Sequence, residues 1–131
     1  SKQANILFAK ALADRLKTAT ESAGGTEGGA RATAVSLHPG VIRTNLWKAS
    51  CLNRLFGCLV SSKTIPQGAA TTVYACVAPN VGLEIYRGAY LDNCNLASCN
   101  STATDARGEL REALWRATEE QIAAAVAKGN I

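Results

Sequence analysis

The chain is short of the residues that mark several function classes. Among its 131 residues it has one histidine, three prolines, two tryptophans, two phenylalanines, three tyrosines and no methionine. No apolar run approaches the roughly 18 residues of a membrane-spanning helix, so a membrane anchor would have to lie outside this sequence, in an N-terminal part. The cysteines, Cys51, Cys58, Cys76, Cys94 and Cys99, are odd in number and form no Cys-x-x-Cys pair. With only His38 to join them, the pattern argues against zinc and for reduced thiols in an intracellular protein, cytoplasmic by default. A local Cys94–Cys99 bridge is the one pairing the spacing leaves open. The net charge of +4 arises from bases spread from Lys2 to Lys128 with no dense run, so no nucleic-acid partner is expected.

What is present suits a folded α/β chain. Hydrophobic residues make up 47% and charged residues 18%, which excludes a disordered segment. Ile6, Ala9, Ala13 and Leu16 recur at helical spacing between Gln3 and about Glu21, and Phe8 and Leu12 widen the apolar stripe. Gly24-Gly25 stops that helix. The glycine-rich stretch from Ala23 to Ala30 joins a helix to a strand. It therefore lacks the strand, glycine loop, helix order that cradles phosphate, and is a linker. Ala32 to Leu37 predicts a short buried strand ended by Pro39-Gly40. In Thr64-Ile65-Pro66-Gln67, Thr64 can cap a helix and Gln67 can reach back to it. Ala69, Ala70, Val73, Tyr74 and Val77 then give an apolar face, and Pro79 closes the helix. Gly88 to Leu91 is a second strand, followed by a polar turn from Asp92 to Thr102. From about Thr104 to Lys128 a last helix is predicted, with Leu110, Leu114, Trp115, Ile122 and Val126 facing inward. This order is half of an alternating α/β pattern, and two strands alone do not make a stable doubly wound sheet.

Two motifs carry chemistry. Ser1-Lys2-Gln3-Ala4-Asn5 opens the chain, and Leu37-His38-Pro39-Gly40-Val41-Ile42-Arg43-Thr44 follows, with Pro39 some 37 positions after Lys2. The first resembles the end of the Tyr-x-x-Ser-Lys active-site motif of short-chain dehydrogenases/reductases. The second resembles that family's Pro-Gly segment beside the nicotinamide. Ile65-Pro66-Gln67-Gly68-Ala69-Ala70, Gly88-Ala89-Tyr90-Leu91 and Leu114-Trp115 extend the resemblance over nearly the whole chain, closest to the retinol-dehydrogenase-like branch.

The resemblance implies that residues 1–131 are the C-terminal portion of a doubly wound, Rossmann-type parallel sheet whose N-terminal nucleotide-binding half is missing. It also implies NAD or NADP as cofactor and an alcohol or carbonyl as substrate. On this reading Lys2 lowers the pKa of a tyrosine just upstream of Ser1 and binds the ribose of the nicotinamide nucleotide. A phenol with a pKa near 10 needs such a cation to work near neutrality. Pro39, Gly40, Ile42 and Thr44 would line the nicotinamide side, Thr44 also suiting an N-cap role. His38 is expected in a structural or supporting role. Residues 46–62 correspond to the segment that covers the substrate. There Leu46, Trp47, Leu55 and Phe56 are either a lid for a lipophilic substrate such as a retinoid or steroid, or ordinary packing. The chain alone is expected not to catalyse. The competing reading is a truncated, non-catalytic binding or dimerisation partner, since the first helix resembles one used for subunit contacts, as in a homodimer.

Overall fold

Three helices longer than ten residues pack around a small sheet in the computed structural model, which describes residues 2–22, 24, 32–42 and 63–129. Helix α1 spans Lys2–Ser22 and buries Leu7, Ala9, Ala11 and Ala13. Three of these four are alanine, which lets the helix lie close to its neighbours on both sides. Strand β1 is Ser36–His38 and helix α2 is Ile65–Val77. Two single turns of 3-10 helix, Pro79–Gly82 and Glu84–Tyr86, lead to strands β2 (Tyr90–Asp92) and β3 (Asn95–Ala97). A short helix α3 (Ser101–Thr104) and the long helix α4 (Glu109–Ala127) complete the order.

The described sheet is mixed, in the order β1-β2-β3, rather than all parallel as expected. β1 and β2 are parallel, with Ser36, Leu37 and His38 opposite Tyr90, Leu91 and Asp92. β2 and β3 are antiparallel. They are joined by the two residues Asn93 and Cys94, both left-handed at φ 52° and 61°, the geometry of a two-residue hairpin whose twist matches its strands. Leu91 is fully buried at the centre.

Local chemistry explains the ends of these elements. Thr64 and Gln67 form the predicted reciprocal cap of α2, with Thr64 N donating to Gln67 Oε1 at 2.9 Å and Gln67 N to Thr64 Oγ1 at 3.4 Å. Beyond α2, Asn80 Nδ2 donates to the hydroxyls of Tyr74 and Tyr86 at 2.7 and 2.9 Å. The Tyr74 hydroxyl, 3.0 Å away, is the main cause holding the Tyr86 phenol above its ordinary value, with desolvation adding to it. The last helix begins at Glu109, later than Thr104, because the buried carboxylate of Asp105 accepts from the amides of Leu110 and Arg111 at 3.1 and 3.0 Å.

Helix α4 lies antiparallel against α1. Arg111 Nε meets Asp14 at 3.0 Å, Arg15 meets Glu112 at 3.1 Å, and the rings of Phe8 and Trp115 stack with centroids 5.2 Å apart. The Arg15 guanidinium also sits 4.1 Å over the Trp115 ring. The expectation that Leu110, Ile122 and Val126 face inward is corrected: they are 46%, 53% and 56% exposed. With Trp115 opposite Phe8, Ile122 lies about level with the first residue of α1, so the last turns of α4 run past the helix that would cover them.

Cys76, Cys94 and Cys99 are free thiols, and Cys51 and Cys58 lie outside the described residues. Among the described residues no helix is long and apolar enough to cross a membrane.

Candidate functional site

Because α1 and β1 are consecutive and antiparallel, the start of the helix lies beside the C-terminal end of the strand. A groove of about 510 Å³ runs between them. Lys2, Asn5, Ile6, Phe8, Ala9 and Leu12 form its helical wall, and residues 34–39 with Tyr90 form the other. Lys2 and Pro39, far apart in sequence, thus line one cavity. Lys2 is exposed, and its ammonium engages no described side chain.

The turn after β1 is tightly held. Gly40 has φ +83°, a left-handed conformation that favours glycine. Its amide donates to His38 Nδ1 at 3.0 Å. The Lys63 side chain lies over the same glycine, and Lys63 Nζ donates to the Pro39 carbonyl at 3.3 Å. A Cβ on Gly40 would sit 2.6 Å from Lys63 Nζ. The glycine is therefore favoured by its backbone angle, whereas the flexible end of Lys63 can move aside for a side chain. Lys63 N donates to Val41 O at 2.8 Å, and Ile42 and Lys63 form a parallel bridge. Ile42 packs onto buried Gly68 of α2, where a Cβ would fall 2.6 Å from Ile42 Cγ1. His38 and Asp92 end neighbouring parallel strands, with Nδ1 and Oδ1 4.0 Å apart. Carboxyl ends of parallel strands are where open α/β sheets bind ligands.

A second cavity, about 30 Å³, lies toward the other end of α1 between Lys17, Glu21, Thr33, Glu84 and Arg87. Its charges are paired: Lys17 meets Glu84 at 3.3 Å and Glu21 at 3.8 Å, and Arg87 meets Glu84. It shares no residue with the groove.

The chain is 36% identical over 118 residues to the short-chain dehydrogenase TIC 32 A, chloroplastic, of Brassica napus, an alignment covering 88% of this chain and 33% of that protein. It is 37% identical over 99 residues to retinol dehydrogenase 11 of Mus musculus, covering 74% of this chain and 27% of the relative. With retinol dehydrogenase 12 of Homo sapiens it shares 33% identity over 124 residues, 93% of this chain and 34% of the relative. The chain belongs to the short-chain dehydrogenase/reductase family. It spans about a third of the length of the curated relatives it matches. No family model matches it, and no solved structure does.

Of the residues that the short-chain dehydrogenase/reductase resemblance singles out, Lys2 and Pro39 share the groove, and Gly40 and Ile42 continue from it into the turn. Thr44 and the lid candidates Leu46, Trp47, Leu55 and Phe56 lie outside the described residues. Lys63 and Gly68, which shape the turn, were not singled out for it by the sequence pattern. Gly68 stands out only as a glycine inside an otherwise good helix, a signal for a close approach.

Proposed function

We propose that a protein carrying this sequence is an NAD(P)-dependent oxidoreductase that interconverts an alcohol and a carbonyl on a lipophilic substrate such as a retinoid, a steroid or another apolar alcohol or ketone. The observation that carries the reading is the shared groove: Lys2 and Pro39 line one space at the carboxyl end of parallel strands. The relatives' printed names, short-chain dehydrogenase and retinol dehydrogenase, support the same reaction class.

The residues present fit the nicotinamide end of such a cofactor. Lys2 offers a cation that engages no side chain among the described residues, and three donors for ribose hydroxyls. Pro39 lines the groove at that end, with Gly40 lying under the Lys63 side chain, and Ile42, with Thr44 beyond it, would border the carboxamide. When bound, the nicotinamide supplies hydride exchange with the substrate. Lys2 acts on the proton side, because a fixed ammonium stabilises the phenolate of a neighbouring tyrosine. Leu46, Trp47, Leu55 and Phe56 would exclude water over an apolar substrate.

The test is an assay on the polypeptide extended to the relatives' length, with long apolar and short polar aldehydes offered with NADH and NADPH. The reading expects cofactor-dependent reduction that favours the apolar aldehydes. It also expects polar substitutions at Trp47 and Phe56 to lower kcat/KM for the long substrates more than for the short ones, since lost contact scales with buried substrate area. Absence of turnover with either cofactor overturns the reaction class. Equal losses for both substrate types overturn the lipophilic substrate.

A further inference from the structure

We propose that His38 is a proton-sensitive positioning residue for the Pro39–Gly40 turn: the neutral ring holds the Gly40 amide, and the protonated ring releases it and turns to Asp92. His38 Nδ1 accepts from Gly40 N at 3.0 Å, so that nitrogen carries no proton and the neutral ring bears its hydrogen on Nε2. A proton added to Nδ1 removes the acceptor, and two donors then face each other. The acceptor within reach of the new N–H is Asp92 Oδ1, 4.0 Å away across the parallel register.

Among the described residues the charged and titratable surroundings are few. Asp92 and Tyr90 approach from β2, Lys2 shares the groove from α1, and the Lys63 ammonium sits on the Pro39 carbonyl. Asp92 is the one anion among these groups, so it is the partner an imidazolium selects. His38 and Asp92 side chains are 45% and 38% exposed, which leaves both free to move and open to bulk protons. The released amide belongs to the residue held at φ +83°. Losing its acceptor therefore loosens the conformation that shapes the groove's end. The turn is therefore held while the ring is neutral and loosened when Nδ1 takes a proton. The consequence for cofactor affinity rests on the reading in the preceding section; the switch itself does not.

NMR of the full ¹⁵N-labelled chain across about pH 5 to 8 tests it without cofactor. The Gly40 amide shift and its protection factor, exchange relative to the intrinsic base-catalysed rate at each pH, should follow the His38 ring nitrogens with one midpoint, protection falling about two- to tenfold on the acid side, the worth of one net hydrogen bond. In His38→Asn the side-chain carbonyl can accept from the amide two residues on, as in an Asx turn. That variant should hold the Gly40 amide in its neutral-pH state throughout. His38→Phe should leave it released throughout, and if that variant fails to fold, His38→Asn alone decides. A Gly40 amide that ignores the His38 titration, or that still titrates in His38→Asn, overturns the proposal.

Discussion

Gly68 and Asp105 show how far single residues depend on contacts that local sequence does not reveal. By helix propensity alone Gly68→Ala should stabilise α2 by about 1 kcal/mol. Against Ile42 the added methyl has no room, and overpacking costs about 1–3 kcal/mol. We expect Gly68→Ala to lower stability in urea denaturation, and the same change in an Ile42→Ala background to raise it. Asp105 is buried. Desolvation pushes its carboxyl up, but the amides of Arg111 and Leu110 and the charges of Arg111 and Lys10 outweigh it and hold the group below its ordinary 3.8. A depressed carboxylate contributes stability that is fully present above 3.8 and is lost as pH falls through the lower folded value. Asp105→Asn should therefore be less stable near neutrality by on the order of 1–3 kcal/mol, with the gap to the parent closing below pH 3.8. Melts at graded pH check the sign. Lys2 and Pro39 were legible because a motif places them. Lys63 over Gly40 and Asp105 under α4 were not, since each acts on backbone that folding brings to it.

At the scale of elements, pattern and capping chemistry place α1 and α2 to within a residue or two at each end. The strands were less legible. β1 proved shorter and later than Ala32 to Leu37, and β3 fell inside the expected polar turn. Asn95-Leu96-Ala97 has no β-branched or aromatic residue to signal a strand, and its hairpin turn uses Cys94 where glycine is usual. That cysteine is anchored, its amide donating to the buried Thr71 hydroxyl at 3.3 Å. The face of α4 was misassigned at Leu110 and past Trp115 because helical periodicity identifies an apolar stripe but not how much of it a partner helix covers. The contact that does exist is concentrated at Trp115. Trp115→Ala removes a ring stack and a cation–π contact, each worth about 0.5–1.5 kcal/mol. Hydrogen exchange should speed up in Glu109–Ala127 while β1 and β2 keep their protection. Uniform acceleration would mean that α4 and the sheet unfold as one unit.

For the whole molecule, the described residues form a mixed three-stranded sheet with helices packed on it, in a chain about a third as long as its relatives. On the proposed reading, the residues offered to a cofactor here belong to its nicotinamide end. The adenosine and pyrophosphate of a dinucleotide are held in such folds by a glycine-rich turn after a first strand, which this sequence does not contain. The chain alone should accordingly bind NADH or NADPH more weakly than micromolar, and calorimetric titration checks that. The central claim is that Lys2 serves the chemical step of a short-chain dehydrogenase/reductase. The most direct measurement is single-turnover hydride transfer by the polypeptide of the relatives' length, with and without Lys2→Ala. The account predicts a loss of several orders of magnitude in the chemical step with the fold intact by circular dichroism, because an exposed cation is removed and no packed side chain is disturbed. Undiminished hydride transfer in the Lys2→Ala protein would contradict it.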